Sequence, residues 1–414
     1  MSAAAGRSIQ SGPRRSPAGI SLVATLLVVC MASSTLLSPF YPQWQEDWGL
    51  STVVMTIVFA VYPLALLVTL LVAGSVSDHL GRRPVATAAM VILAIALGIF
   101  AVSGDAGMLL LGRVLQGIST GLAMTTLGAY SAELQPARMP GLAALVNAAA
   151  PTVGLALGAV LGGVVLDLWR DPVAVLFGVS AVISLVAAFT VWFLPETSPR
   201  IPGVARSLIP TVHVPAAARS TFVRSVPAIA AAWATGGLFI SLGASIVGRL
   251  FHESSHLLQG LTIGVIAGVG TLSVILMRRS SADAGFLVGT STLAAGTILG
   301  VVAVTLHALP LYFVALALTG WGFGTAYAGA LRLILPLAPA QERAGLFSSI
   351  YVVAYLAFGV PAVIAGIAIP IVGLEATAVG YGVLVVVAAV AATALRLHAR
   401  GRGDDIASPH PGPA

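Results

Sequence analysis

The spacing of charges constrains this chain more than any other feature. Ionised side chains come in short groups separated by long stretches without any, at 16–45, 48–77, 84–104, 139–166, 172–195, 225–248, 254–277, 284–331, 344–374 and 376–395. The stretch 106–132 joins them once a single charge, Arg113, is admitted. A helix needs about 20 apolar residues to cross a bilayer, and each charge at its centre costs at least ~2.5 kcal/mol. The 284–331 stretch holds two crossings with His307 and Pro310 at the turn, which makes twelve spans. Composition agrees: 8% of residues are charged and 58% hydrophobic, against roughly 25% charged in a soluble domain. A soluble enzyme, a nucleic-acid reader and a disulfide scaffold are excluded, the last because Cys30 is the only cysteine. Cys30 sits in an apolar run and reads as packing.

All twenty basic residues are arginine. An even number of spans puts both ends of the chain on one side, taken as the cytoplasm. Seventeen arginines then fall on that side, only Arg170 and Arg249 outside, and Arg113 in the membrane. Such asymmetry is the positive-inside pattern of a multi-pass protein of the cytoplasmic membrane. The first apolar run, 16–45, exceeds the roughly 7–15 residues of a signal-peptide core and reads as a span.

The expected fold is an all-α polytopic membrane protein, with twelve transmembrane helices in two pseudo-symmetric six-helix bundles around a central cavity. Its expected parts are a cytoplasmic tail (1–17), an N-terminal bundle (18–195), a Pro- and Arg-rich cytoplasmic loop (196–225), a C-terminal bundle (226–398) and a disordered tail (399–414). A weak repeat supports two equivalent halves: Gly117, Gly121 and Pro136 recur at a constant offset as Gly320, Gly324 and Pro339.

The most specific string is the loop after span 2, Gly74-Ser-Val-Ser-Asp78-His-Leu-Gly81-Arg82-Arg83. The Asp can face a helix N-terminus, the glycines allow a tight turn, and the arginines can pair with Glu133 at the inner end of span 4. Such a cluster would latch helices at the inner face. In span 4, Arg113, Gln116, Gly117, Thr120 and Gly121 share one small, polar face, unsuited to lipid. Arg113 either serves the cavity, with a partner such as Asp167, or snorkels to the outer edge. Asn147 joins Arg113, Gln116 and Thr120 as a proton-coupling or substrate candidate. Pro151, Gly154, Gly158 and Gly162 in span 5 read as a close-packing motif. Trp233, Trp321, Phe323, Tyr327, Tyr351 and Tyr355 are candidates to line a pocket, or to pack.

The loop string resembles the signature between helices two and three of the major facilitator superfamily, with Gly74, Asp78, Gly81, Arg82 and Arg83 matching. Leu194-Pro195-Glu196-Thr197 is similar to that superfamily's usual end to span 6, and Arg113-Val-Leu-Gln116-Gly117 to its fourth-helix motif, implicated there in proton transfer or substrate binding. The loop between spans 8 and 9 keeps only Arg278, Arg279 and Asp283 of the signature. Ala150-Pro151-Thr-Val-Gly154 partly matches the fifth-helix pattern of exporters in the drug:proton antiporter branch, with Ala150 and Leu155 departing from it. The resemblance implies a proton-coupled exporter of a small molecule, acting by alternating access as a monomer, without cofactor or metal and with the proton gradient as energy source. Many exporters of organic cations carry an acidic residue in or near span 1; the apolar run 16–45 of this chain holds none, which leaves neutral, amphipathic or anionic compounds. Proton-coupled uptake of a small metabolite is the alternative, and a non-transporting sensor or scaffold a more remote one. A membrane-embedded enzyme has no support, since neither a His-Glu-x2-His motif nor paired carboxylates occur in the spans.

Overall fold

The computed structural model describes residues 17–402, so most of the expected tails, 1–17 and 399–414, lies outside the described residues. Residues 399–401, expected in the disordered tail, instead continue the last helix to Gly401. Twelve helices are long and apolar enough to cross a membrane. Spans 1 to 6 are Pro17–Asp47, Thr52–Ala73, Arg82–Ala101, Ala106–Leu134, Leu142–Leu168 and Pro172–Phe193. Spans 7 to 12 are Ala216–Leu250, His256–Arg279, Ala282–Thr305, Leu309–Leu337, Arg343–Val372 and Leu374–Gly401.

Local chemistry sets where these helices start. Ser51, Asp105, Asp171, Ser255 and Ser281 each accept a backbone N–H from three residues on, which satisfies one of the orphan donors of spans 2, 4, 6, 8 and 9. His307 adopts positive φ in the turn between spans 9 and 10. Span 7 begins at Ala216, right after Pro215, so its helix takes up part of the stretch read from sequence as loop. Its first turns carry Arg219 and Arg224, which belong at the charged membrane boundary.

The helices pack as two pseudo-symmetric bundles of six. In the first, span 4 lies against spans 2 and 3, span 5 against span 1, and span 6 against span 3. In the second, span 10 lies against spans 8 and 9, span 12 against span 9, and span 7 against spans 11 and 12. The bundles meet along two seams, span 5 on span 8 and span 2 on span 11. Large apolar side chains of span 6 (Val179, Val182, Val186, Phe189) and span 12 (Val383, Leu384, Val387, Val390) point outward and are exposed, as a lipid-facing surface requires.

Close approach at the helix crossings depends on glycine. Any side chain at Gly158 would collide with the Ala32 carbonyl and come within 2.5 Å of Thr35 Oγ1, while Gly154 and Gly162 meet Met31 and Leu36 at 2.6 Å. The span 5 glycines therefore seat that helix on span 1, and Thr35 Oγ1 donates across the crossing to Leu155 O at 2.8 Å.

Candidate functional site

Three constellations follow the axis from the inner face to the outer one. At the inner face, Arg82 opens span 3 and its side chain is buried. Its Nη2 lies 2.5 Å from Asp78 Oδ1 and 2.8 Å from Glu133 Oε1, and its Nη1 donates to Ser77 Oγ at 2.5 Å. Thr197 Oγ1 donates to Glu133. The network thus ties the ends of spans 2, 3, 4 and 6 together within one half.

Arg83 departs from the expectation that it would pair with a carboxylate. Its Nε donates to the Leu194 carbonyl at the end of span 6. The carboxylate beside it is Glu196, which sequence reasoning had only as part of a motif. Glu196 accepts the backbone N–H groups of Arg82 (2.8 Å), Arg83 (3.1 Å) and Ser198 (3.1 Å), and so caps the start of span 3. Burial pushes its carboxyl upward, but those three N–H groups and the nearby Arg200 hold it below its ordinary value. Gly81 has φ +110, and a side chain there would stand 2.8 Å from Glu196 Oε2, so this glycine is required by conformation and by space. Gly74 is an ordinary right-handed helix end.

The second half builds its own inner cluster. Asp283 at the start of span 9 pairs with Arg396 and, at 3.2 Å, with Arg400, both from span 12. From the loop alone the motif looks degenerate; the partners come from a helix more than a hundred residues away, which only the packing brings near.

Between the faces lies Arg113, with 1% of its surface exposed. That burial removes the snorkelling alternative. Asp167 is not its partner either, being engaged at the outer face. Arg113 Nη1 donates to Ser34 O at 3.1 Å and to Gln116 Oε1 at 2.7 Å, and Gln116 Nε2 donates to Ser33 O at 2.8 Å. The first helix of span 1 ends at Thr35, so these carbonyls belong to its last turn, where acceptors are left over and the dipole is negative. The rings of Tyr41 and Tyr62 lie 5.5 and 5.4 Å from the guanidinium carbon and add two π faces. Arg113 Nε and Nη2 remain buried without partners, as does the Tyr41 hydroxyl.

Thr120 lies one turn further along the same face, bonded to Gln116 O at 2.8 Å and accepting from Cys30 Sγ at 3.8 Å. Gly117 and Gly121 make room for Tyr62, Ala65 and Thr69 of span 2. Asn147 is not brought to this group; it is exposed and bonds Ser131 and Gly128 toward the inner end of span 4. Tyr41 and Tyr62 were missed in sequence because neither interrupts an apolar run.

The aromatic candidates divide. Trp233 packs its ring against Tyr355 (4.8 Å), Tyr327 (5.6 Å) and Phe358 (6.0 Å), and Tyr351 joins through Tyr355 at 6.2 Å. Tyr62 and Leu66 of span 2 share an apolar cluster with Tyr355, so this group spans the seam between the halves. Trp321 lies on span 10 outside these ring contacts.

At the outer face the halves are joined by polar contacts. Asp167, at the end of span 5, accepts the backbone N–H groups of His256 (3.0 Å) and Leu257 (2.9 Å) at the first turn of span 8, and lies 2.7 Å from His256 Nδ1. Ser255 Oγ adds a 3.3 Å bond to it. Ser38 Oγ donates to Ile240 O at 2.7 Å, and Arg249 lies 3.7 Å from Glu46. Phe59 stacks on Phe358 at 5.2 Å on the other seam. The named inner charge clusters stay within one half each, whereas the outer contacts cross between halves. Among the described residues, no group of three or more His, Cys, Asp or Glu is placed to hold a metal ion.

Comparison with known proteins adds an independent line. The sequence profile described as Major Facilitator Superfamily matches residues 23–285. A proton myo-inositol cotransporter of Caenorhabditis elegans is 29% identical over 177 residues, 42% of this chain and 28% of that protein. An uncharacterized MFS-type transporter of Mycobacterium tuberculosis is 31% identical over 186 residues, 44% of this chain and 27% of that protein. The chain thus aligns with less than a third of these relatives' own length. A bacterial homolog of the human lysosomal transporter Spinster, crystallised inward-facing and unoccupied, superposes with a TM-score of 0.73 over 98% of this chain and 100% of that one, at 15% identity. The human organic anion transporter MFSD10 superposes with a TM-score of 0.65 over 90% of this chain and 98% of that one, at 18% identity. At these identities the shared property is the fold.

Proposed function

Because this chain belongs to the Major Facilitator Superfamily, and is therefore a secondary active transporter rather than an enzyme, we propose that it exports a small neutral, amphipathic or anionic compound from the cytoplasm in exchange for protons. On this reading it belongs with the drug:proton antiporters and works as a monomer. The observation that carries the reading is the asymmetry of contacts along the axis. Outer contacts join the halves, through Asp167 on span 8 and Glu46 beside Arg249, while the inner network of Asp78, Arg82, Glu133 and Glu196 is confined to one half. Thr271 Oγ1 also donates to Thr152 Oγ1 at 2.5 Å near the middle of the seam between spans 8 and 5. The named ion pair and helix cap between the halves nonetheless lie at the outer end, and two bundles joined in this way can rock about spans 1, 5, 7 and 8 and open that end when those contacts part. The inner network fixes the ends of spans 2, 3, 4 and 6 as one body, which in the alternate state closes the cytoplasmic side. Export is supported by Ala150-Pro151-Thr-Val-Gly154 in span 5, which partly matches the fifth-helix pattern of antiporters. The absence of an acidic residue in the middle of span 1 supports a substrate that is not a cation.

Uptake together with protons is the second reading, favoured by the partial likeness to a proton myo-inositol cotransporter. Everted membrane vesicles from cells expressing the protein separate the two. A substrate that accumulates when the vesicle interior is acid, and leaves when the gradient is collapsed, supports export by antiport. Accumulation in right-side-out vesicles with an acid exterior supports uptake instead.

A further inference from the structure

The charge of the transported molecule can be taken further from the donors around Arg113; the inference rests on the transport reading above. No acidic side chain lies in the middle of any span. Of the carboxylates near the outer side, Asp105 caps span 4, Asp171 caps span 6, Asp167 holds the first turn of span 8, and Glu46 lies beside Arg249. Arg113 is therefore a buried cation whose named partners are dipoles and rings rather than a carboxylate. Its Nη1 is used by Ser34 O and Gln116. The two nitrogens without partners, Nε and Nη2, form one edge of the guanidinium plane, the edge that receives a carboxylate through two parallel hydrogen bonds. The third unpartnered group, the hydroxyl of Tyr41, is on a ring 5.5 Å from the guanidinium carbon, and Tyr41 is itself 4% exposed. Tyr41 also lines a narrow cleft between the halves, with Gln45, Thr56, Ser241 and Arg249. One full positive charge and three unpartnered groups, two of them donors only, meet here, and Tyr41 links the guanidinium to the cleft between the halves.

We propose that the transported molecule is a small organic carboxylate, whose two oxygens take the Nε and Nη2 edge of Arg113 while the Tyr41 hydroxyl donates to one of them. Its apolar body lies against Tyr62 and, across the seam, the ring group of Trp233 and Tyr355. If one proton enters for each carboxylate that leaves, a cycle moves two positive charges inward, so an inside-negative membrane potential favours export.

The test uses the full chain purified in detergent and a panel of monocarboxylates from acetate to decanoate with benzoate and phenylacetate, each set against its primary alcohol and its amine. At least one carboxylate is expected to raise the melting temperature saturably, with its alcohol and amine inactive. Arg113→Gln and Arg113→Lys should each weaken that binding at least tenfold, the lysine because it lacks the planar fork. Tyr41→Phe, which keeps the ring, should weaken it several-fold and serves on its own if the Arg113 variants do not fold. No stabilisation by any carboxylate, equal stabilisation by the amines, or wild-type binding in Arg113→Gln and Tyr41→Phe overturns the proposal. The carboxylate that binds is then followed in proteoliposomes under potassium diffusion potentials of both signs. Binding without flux overturns the transport reading and leaves the anion site standing. Flux unaffected by Arg113→Gln overturns the anion site and leaves transport standing.

Discussion

Asp167→Ala should shift the protein toward a state open at the outer face. The carboxylate belongs to one half and accepts two backbone N–H groups, at 2.9 and 3.0 Å, from the first turn of a 21-residue helix of the other. It does so as an N-terminal cap supplied from outside the helix, and such caps contribute about 0.5–2 kcal/mol. The 2.7 Å contact with His256 adds less, because both side chains are about a third exposed and water screens the pair; roughly 0.2–1 kcal/mol is appropriate. The contact exists only while the outer ends touch, so nearly all of its free energy biases the conformational equilibrium and little bears on folding. About 1–3 kcal/mol then corresponds to a shift of roughly 5- to 150-fold in the ratio of outer-closed to outer-open molecules. Spin labels at residues 170 and 252, on the outer loops of the two halves, report that ratio through pulsed dipolar distances in nanodiscs. A new long-distance population in Asp167→Ala, with an unchanged melting temperature, is the expected result. Identical distance distributions in variant and wild type would refute the reasoning, since the cap would then contribute nothing to closure.

Glu196→Gln should lower the melting temperature at neutral pH and lose that effect in acid. The carboxyl is held below its ordinary value of 4.5, so its stabilisation is complete above that value and fades as pH falls through the depressed folded value; wild type and variant should converge there in a pH series. Arg82→Gln should destabilise by about 1–3 kcal/mol, below the ~3–5 of a fully buried pair because Asp78 and Glu133 are 38% and 29% exposed, and denaturant titration checks it. Asp78→Asn keeps Arg82 paired to Glu133 and should slow flux at normal expression, measured per molecule of protein in vesicles. Gly158→Leu should drive span 5 off span 1, costing at least the roughly 1–3 kcal/mol typical of overpacking; a monodisperse variant with wild-type melting would contradict the crossing described here.

Sequence alone determined the number of spans, their order and their orientation, because these depend on the cost of a charge in hydrocarbon and on which side the arginines stay. A gap between charges is legible one residue at a time. The Asp78–Arg82–Glu133 grouping was legible as well, since each residue sits at a helix end on the arginine-rich face and ends on one face have few partners. What sequence could not give was any pairing that depends on how helices rotate and cross. Arg83 turned to the Leu194 carbonyl, and Glu196 took the backbone of span 3. Asp283 found Arg396 and Arg400 on span 12, and Asp167 bound the start of span 8 rather than Arg113. Arg113 itself shows the division. Its charge within an apolar run marked it at once, but its surroundings are the last turn of the first helix of span 1 and the rings of Tyr41 and Tyr62. Carbonyls and aromatic faces carry no sequence signature as partners of a cation, since every helix offers the first and apolar runs routinely hold the second. Only the packing of spans 1, 2 and 4 decides which of them reach the guanidinium, and which of its nitrogens are left for something else.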